Sequence, residues 1–249
     1  MAAMAVRKIK LTIRYDGSKY HGWQIQPGKK TIQGELSAAI SSLVGKKVTA
    51  HAASRTDAGV SALGQVAVFE VDCPIPTDNF KDAINDRLPP EIFLTDVQEA
   101  PRNFDVIGQA VSKHYRYTIY TGPDRPVLQL NRCWHIPEPL DIAQMSKAAE
   151  MLLGTRDFKS FASSKDTRQR TVRTIFRCEV TSDGPWVYID VEGDGFLYNM
   201  VRNIVGTLVE IGLGRWKAEK VPEILEARHR SAAGRLAPPN GLCLMQVKY

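Results

Sequence analysis

The segment HAASRTDAGVSALGQ, residues 51–65, sets two charged side chains, Arg55 and Asp57, among small residues. Small side chains let the backbone of another large molecule come close. In an extended segment, positions two apart face the same way, so Arg55 and Asp57 would point together at a bound molecule. A carboxylate placed there can act as a nucleophile, a base and a leaving group. The same residues also fit a surface turn in which Asp57 bonds its own backbone before Ala58 and Gly59.

A second candidate for function is the run TRDFKSFASSKDTRQRTVR, residues 155–173. It has six basic residues against two acidic ones, a net charge of +4, and Phe158 and Phe161 are interleaved with the charges. Concentrated positive charge with aromatic side chains attracts the backbone of a nucleic acid. A solvated charged loop would have the same composition.

A glycine-rich stretch, YDGSKYHGWQIQPGKKTIQ at residues 15–33, brings Tyr20 and His21 close to Trp23. Loops of this kind often carry binding residues, because they lie at the surface of a rigid scaffold. The composition is equally typical of a turn around a packed tryptophan. Both interpretations stay open from the sequence.

Two tyrosines and one arginine are further candidates for function. In SKHYRYTIY, residues 112–120, Tyr115 and Tyr117 share one face of a predicted strand, where tyrosines usually belong to the core. In GDGFLYNMVRNIVG, residues 193–206, Arg202 lies on an otherwise apolar helix. A buried arginine needs an anionic partner.

Hydrophobic periodicity predicts the elements that position these side chains. In the first half, the order is strand 8–15, helix 31–44, strands 46–52 and 65–71, helix 77–88 and strand 92–98. In the second half, it is strand 113–120, helix 141–153, strands 172–180 and 186–192, helices 196–212 and 219–228, and strand 242–249.

Each half therefore follows the βαββαβ order of a ferredoxin-like unit. The sequence predicts an α+β protein of two tandem units that share a mostly antiparallel sheet, with a central cleft as the place for a large ligand. The predicted subdomains are residues 6–104, with the Asp57 loop, and residues 110–249, with Tyr115 and Arg202.

The cysteines and the apolar segments indicate a cytoplasmic protein. Four widely spaced cysteines form no C-x-x-C pair, so neither a zinc site nor a disulfide framework is expected, and reduced thiols fit a cytosol. The start, MAAMAVRKIK, has no apolar run long enough for a signal peptide. The most apolar long segment, residues 196–213, contains Arg202 and Glu210, which a membrane span would not tolerate.

Five segments together resemble the TruA family of tRNA pseudouridine synthases, in order from residue 8 to the C-terminus. They are RYDGSKYHGWQ, ASRTDAGVSALGQ, KHYRY, GDGFLYNMVRNIVGTLVEIG and AAGRLAPPNGLCLMQVKY. The RTDAGV and GFLYNMVRN elements occurring together are highly specific. The resemblance implies the pseudouridine synthase fold and a homodimer that converts uridine to pseudouridine at positions 38, 39 and 40 of tRNA, without cofactor or metal.

The resemblance also implies roles for individual side chains. Asp57 matches the catalytic carboxylate, and Arg55 matches the arginine that assists flipping of the target base. Tyr115 matches the active-site tyrosine, which would stack on the flipped base and assist proton removal. Arg202 matches the arginine that forms an ion pair with the catalytic aspartate. Leu242 or Leu244 would pack against the tyrosine and complete a dry pocket.

The two other basic and aromatic stretches are candidates for holding tRNA outside the pocket. Their candidate RNA-binding residues are Tyr20, His21, Lys159, Lys165, Arg168 and Arg170. One departure concerns FDVIGQAV, residues 104–111, where Ile107 occupies a position at which the family usually has arginine. It leaves the choice of tRNA sites open.

Three other functions stay open from the sequence. A sister synthase would act on other RNA uridines. A non-catalytic RNA-binding protein would need the basic surface but not Asp57, Tyr115 and Arg202. A small-molecule hydrolase could use Asp57 as its nucleophile, yet the chain has no nucleophile elbow, phosphate loop or metal cluster, and the net charge of +6 would be unexplained.

Overall fold

The computed structural model describes residues 5–249, so the first four residues of the stretch considered for a signal peptide lie outside it. The chain divides into two compact units. The first comprises the chain up to Val111 together with Leu244–Tyr249, and the second comprises Ser112–Cys243. The sequence placed the boundary between residues 104 and 110. It also assigned the last residues to the second subdomain, whereas here they group with the first unit.

The first unit is an antiparallel sheet with two helices. Its elements are β1 (Arg7–Tyr15), α1 (Ile32–Val44), β2 (His51–Ala52), β3 (Ser61–Val71), α2 (Thr77–Asn85) and β4 (Ile92–Ala100). The strand order β4–β1–β3–β2 is that of a ferredoxin-like unit, and β3 also pairs with the last strand of the chain.

Alternation of side chains builds this sheet. Ile9, Leu11 and Ile13 of β1 are fully buried, while Lys10 and Thr12 between them are partly exposed. Thr31 caps the start of α1: its side chain accepts a hydrogen bond from the Gly34 amide, which satisfies an otherwise orphaned donor. The sequence therefore determines both the start of α1 and the buried face of β1.

The second unit repeats the plan with additions. Its elements are β5 (Ser112–Tyr120), β6 (Trp134–His135), α3 (Ile142–Glu150), β7 (Gly154–Asp157), β8 (Val172–Asp183), β9 (Trp186–Gly193), α4 (Met200–Gly212), α5 (Lys220–Ala227) and the start of β10 (Leu242–Lys248). The strand order is β5–β9–β8–β7, and the short β6 lies parallel to β5.

The α+β class and the mostly antiparallel pairing are confirmed. Several boundaries differ from the prediction. Strand β2 is two residues long instead of covering 46–52, and the short polar β7 was not predicted. Helix α4 begins at Met200, not at 196, because Asn199 adopts a left-handed conformation with φ of 62° that interrupts the helical path.

Within residues 5–249, the search for a helix both long and apolar enough to cross a membrane finds none.

Candidate active site

Asp57 lies in a tight turn between β2 and β3. The Val60 amide donates to the Asp57 carbonyl at 3.1 Å, and Gly59 adopts a φ of 81°, which glycine tolerates without strain. Arg55 is exposed and Asp57 is half-buried. The surface turn allowed by the sequence is therefore present, and it leaves the arginine and the carboxylate accessible.

Side chains from two strands fix the residues on either side of Arg55. Gln65 of β3 donates from Nε2 to the Ser54 carbonyl at 2.7 Å and to the Tyr15 hydroxyl at 3.3 Å. The Tyr15 hydroxyl in turn lies 2.8 Å from the Thr56 hydroxyl. Gln65 is fully buried, and its Nε2 holds Ser54 directly and Thr56 through the Tyr15 hydroxyl. Gln65 was not among the predicted site residues, although a glutamine in an otherwise apolar strand is a signal for such a role.

The glycine-rich loop packs its backbone against the Asp57 turn. The Trp23 amide donates to the Thr56 carbonyl at 3.0 Å. Gly22 adopts a φ of 83°, and a Cβ atom at this position would lie 2.6 Å from the Thr56 carbonyl oxygen. The glycine therefore permits an approach of two backbones that no other residue would allow.

We expect Gly22→Ala to destabilise the first unit strongly and to disturb the Asp57 turn. The left-handed conformation alone costs roughly 1–2 kcal/mol for alanine, and the backbone clash adds to it. Gly28→Ala is the matched control, because Gly28 also has a positive φ, 67°, but no atom within 4 Å of the added Cβ. Thermal unfolding of both variants measures the difference, and equal melting temperatures would contradict the packing argument.

Tyr20 and His21, both predicted to bind RNA, differ in exposure. The Tyr20 ring is only 3% exposed, and burial together with the nearby Glu91 raises the pKa of its hydroxyl to about 12. Lys30 Nζ lies 4.9 Å from the centre of that ring. His21 is exposed. Only His21 of this pair is thus presented to solvent.

Tyr115 and Tyr117 both lie on the buried face of β5, in different surroundings. The Tyr117 hydroxyl donates to the Pro238 carbonyl at 2.7 Å, and burial raises the pKa of Tyr117 above its usual range. Tyr115 is 6% exposed and packs edge-to-face on Phe196, with ring centres 5.3 Å apart. Tyr117 is therefore a core residue, while Tyr115 lies beside the turn that precedes α4.

Arg202 is oriented by groups of its own unit. Its Nε donates to the Ala237 carbonyl at 2.7 Å, and its Nη1 donates to the Asn199 side-chain oxygen at 3.1 Å. Asn199 is the residue with the left-handed conformation, which asparagine tolerates better than most side chains. The interruption of the helix thus places a side-chain acceptor beside the arginine. Asn199 was not among the predicted site residues.

The basic run 155–173 is only partly a free surface. Phe158 and Phe161, read from the sequence as aromatics available to a nucleic acid, are fully buried in the core, so that interpretation is wrong. The exposed cations of the run include all four predicted residues, Lys159, Lys165, Arg168 and Arg170. Arg168 differs from the other three because it also forms an ion pair with Asp166, with Nη2 and Oδ2 2.6 Å apart.

The two leucines predicted to line the pocket are both buried, Leu242 in the second unit and Leu244 in the first.

Among residues 5–249 there is no group of three or more histidine, cysteine, aspartate or glutamate side chains arranged to hold a metal ion. Ile107 is exposed, and its amide donates to the Asp105 carboxylate at 2.9 Å.

Comparison with known proteins gives one consistent family. The profile of a tRNA pseudouridine synthase family matches residues 11–107 and 148–249. A relative from Geotalea uraniireducens, named tRNA pseudouridine synthase A, is 46% identical over 244 residues, which cover 98% of this chain and all of the relative. A protein of the same name from Acetivibrio thermocellus is 45% identical over the same length and with the same coverage.

Proposed function

The chain belongs to the tRNA pseudouridine synthase family, and on this basis we propose that it isomerises uridine to pseudouridine at positions 38, 39 and 40 of the tRNA anticodon stem-loop. The proposal is supported above all by identity of 46% over nearly the whole chain with a protein named tRNA pseudouridine synthase A. Asp57 and Arg202 lie within the segments that the family profile matches. The enzyme is accordingly an isomerase.

The reaction breaks the N1–C1′ glycosidic bond, rotates the base and forms a C5–C1′ bond. The proton on C5 is lost and N1 gains one, so substrate and product have the same composition. We assign to Asp57 the attack on the nucleoside, a role that a carboxylate can perform because it is both a nucleophile and a leaving group. No cofactor or metal is required by this scheme.

The other assignments follow the family positions and fit the local surroundings. Tyr115 stacks on the flipped base and assists removal of the C5 proton. Tyr115 packs against the Phe196 ring, and this apolar setting favours an uncharged aromatic side chain over a charged general base. Arg202 supplies the cation that accompanies the catalytic carboxylate, and Leu242 and Leu244 keep the pocket dry. Arg55, which is exposed, assists base flipping.

We assign the binding of tRNA outside the pocket to exposed cations and to His21. The residues are His21, Arg55, Lys159, Lys165 and Arg170, all of which are exposed. Contacts of this kind with phosphates supply affinity without reading sequence. Tyr20 is buried, so its contribution is to shape the loop that carries His21.

The proposed function is tested by mapping pseudouridine in tRNA from a deletion strain and from the same strain complemented with this gene. Loss of pseudouridine at positions 38, 39 and 40, restored by the gene, is the expected result. Loss at other uridines would favour a sister synthase instead. A purified protein that shifts tRNA in a gel but forms no pseudouridine would favour the non-catalytic alternative.

We further propose that the active protein is a cytoplasmic homodimer that binds tRNA across both subunits. A chain of 249 residues with one site covers only part of a tRNA molecule. Sedimentation velocity at micromolar concentration should give a species of twice the 27.7 kDa chain mass. A monomer with full activity would contradict this expectation.

A further inference from the structure

Asp166 is one of the two acidic residues in the basic run 155–173, and it is the centre of a compact hydrogen-bond network. Only 4% of its side chain is exposed. Its carboxylate accepts hydrogen bonds from Arg168 Nε at 2.9 Å, from the Arg168 amide at 3.0 Å and from the Tyr198 amide at 2.7 Å. Hydrogen bonds from Arg168 hold the pKa of Asp166 well below its usual range, so the carboxylate is ionised at neutral pH.

The same segment binds the turn before α4 at two more points. Arg168 Nη1 donates to the Phe196 carbonyl at 3.0 Å, and the Ser163 amide donates to the Tyr198 carbonyl at 2.8 Å. The backbone of the turn Phe196–Tyr198 is therefore held through three of its polar groups. We call Ser163–Arg168, with these contacts, the latch.

The turn held by the latch lies next to two residues of the proposed active site, Tyr115 and Arg202. The Phe196 ring packs edge-to-face on Tyr115 with an angle of 89° between the rings. One residue after the turn, Asn199 accepts the hydrogen bond from Arg202. Burial, followed by the charges of Arg168 and Arg173, lowers the pKa of Lys113 at the start of β5.

We propose that Asp166 and Arg168 are positioning residues that set the Tyr115 ring for the reaction by fixing the turn Phe196–Tyr198. The inference rests on the proposed function. It revises the prediction that Arg168 binds RNA phosphate, because the guanidinium is already neutralised by Asp166 and aimed at a backbone carbonyl. The Arg168 side chain stays 45% exposed, but its charge-assisted hydrogen bonds to a covered carboxylate, together with its bond to a backbone carbonyl, favour a structural clamp over an open anion site.

A clamp of this kind has a catalytic consequence because the reaction tolerates little misplacement. An error of about 1 Å in the position of a reacting group can cost about 100-fold in rate. Asp166→Asn keeps an acceptor for the Tyr198 amide but removes the charge that binds Arg168. We therefore expect a partial loosening of the turn and a rate lowered by roughly tenfold, which is about 1.4 kcal/mol in activation free energy.

The test compares Asp166→Asn and Arg168→Gln with the unmodified enzyme. Single-turnover rates of pseudouridine formation at saturating enzyme report on positioning, and filter binding at several salt concentrations reports on the grip on tRNA. Both variants should lose a similar factor in rate, keep the parent's dissociation constant and keep its salt dependence. Asp183→Asn, an exposed carboxylate at the β8–β9 turn, is the control and should match the parent.

A second comparison tests whether the latch acts through Phe196. In a Phe196→Leu background, Asp166→Asn should lower the rate much less than it does in the parent. The Phe196 ring, through which the latch would act on Tyr115, is then absent. Additive losses would overturn this route. Thermal unfolding establishes that each variant is folded at the assay temperature.

Two results would overturn the positioning role. One is an Asp166→Asn rate equal to the parent's. The other is an Arg168→Gln variant that binds tRNA more weakly, with its salt slope reduced by about one, while Asp166→Asn binds normally, since this is the pattern of a phosphate contact. A parent that forms no pseudouridine overturns the proposed function and this role with it, whereas an active parent whose variants match it overturns only this role.

Discussion

Asp57→Asn is expected to abolish pseudouridine formation while leaving tRNA affinity within about tenfold, near 1.4 kcal/mol. The amide has almost the shape of the carboxylate, but it cannot attack the nucleoside and leave again. The turn should survive, because its closing hydrogen bond comes from the Val60 amide to the Asp57 backbone carbonyl. Release of tritium from tRNA labelled at uridine C5 measures turnover, and a filter-binding titration measures affinity.

A matched control separates the carboxylate from a general charge effect. Asp82→Asn makes the same change on the exposed face of α2 and should leave both measurements unchanged. Substantial turnover by the Asp57 variant would end the assignment of the nucleophile. A variant that is inactive because it no longer binds tRNA would instead move Asp57 from the chemistry to the recognition of the substrate.

Tyr115→Phe should bind tRNA normally and react at least about 100-fold more slowly, since general acid–base assistance typically contributes about 10²–10⁴-fold. The phenyl ring keeps the edge-to-face contact with Phe196 and can still stack on the base. Only the hydroxyl is lost, so the effect should fall on the chemical step. The measurement is the single-turnover rate at saturating enzyme, beside a binding titration.

Tyr117→Phe supplies the control on the same face of the same strand. It removes the hydrogen bond to the partly buried Pro238 carbonyl, at a cost of about 1 kcal/mol in stability. Its melting temperature should fall while its single-turnover rate stays near that of the parent. If Tyr115→Phe behaves in the same way, Tyr115 is a core residue and another group removes the proton.

The sequence by itself determined most of the secondary structure and supplied the reacting groups that we propose. Alternation in β1 and the Thr31 cap of α1 are local properties, because each depends on residues a few positions apart. The RTDAGV and GFLYNMVRN motifs pointed to the family that the comparisons confirm. Polar residues with reactive groups are recognisable from type and context without knowledge of their neighbours in space.

Only the tertiary structure decided which members of a motif face solvent. Phe158 and Phe161 stand between charged residues in the sequence, yet both are buried, and Tyr20 is covered beside an exposed His21. The run is too irregular in structure for a helical or a strand period to assign its faces. Burial there depends on residues far away in the chain, which periodicity does not report.

The supporting contacts were likewise beyond the sequence. Gln65 reaches Ser54 across 11 positions, and the Tyr198 amide reaches Asp166 across 32. The hydrophobic spacing predicts one continuous helix from residue 196, but Asn199 interrupts it. A left-handed residue does not change hydrophobic spacing, so the sequence pattern does not show this interruption. The motifs therefore supply the proposed reacting groups through the family resemblance. The long-range hydrogen bonds around those groups join segments that are distant in sequence and meet only in the folded protein.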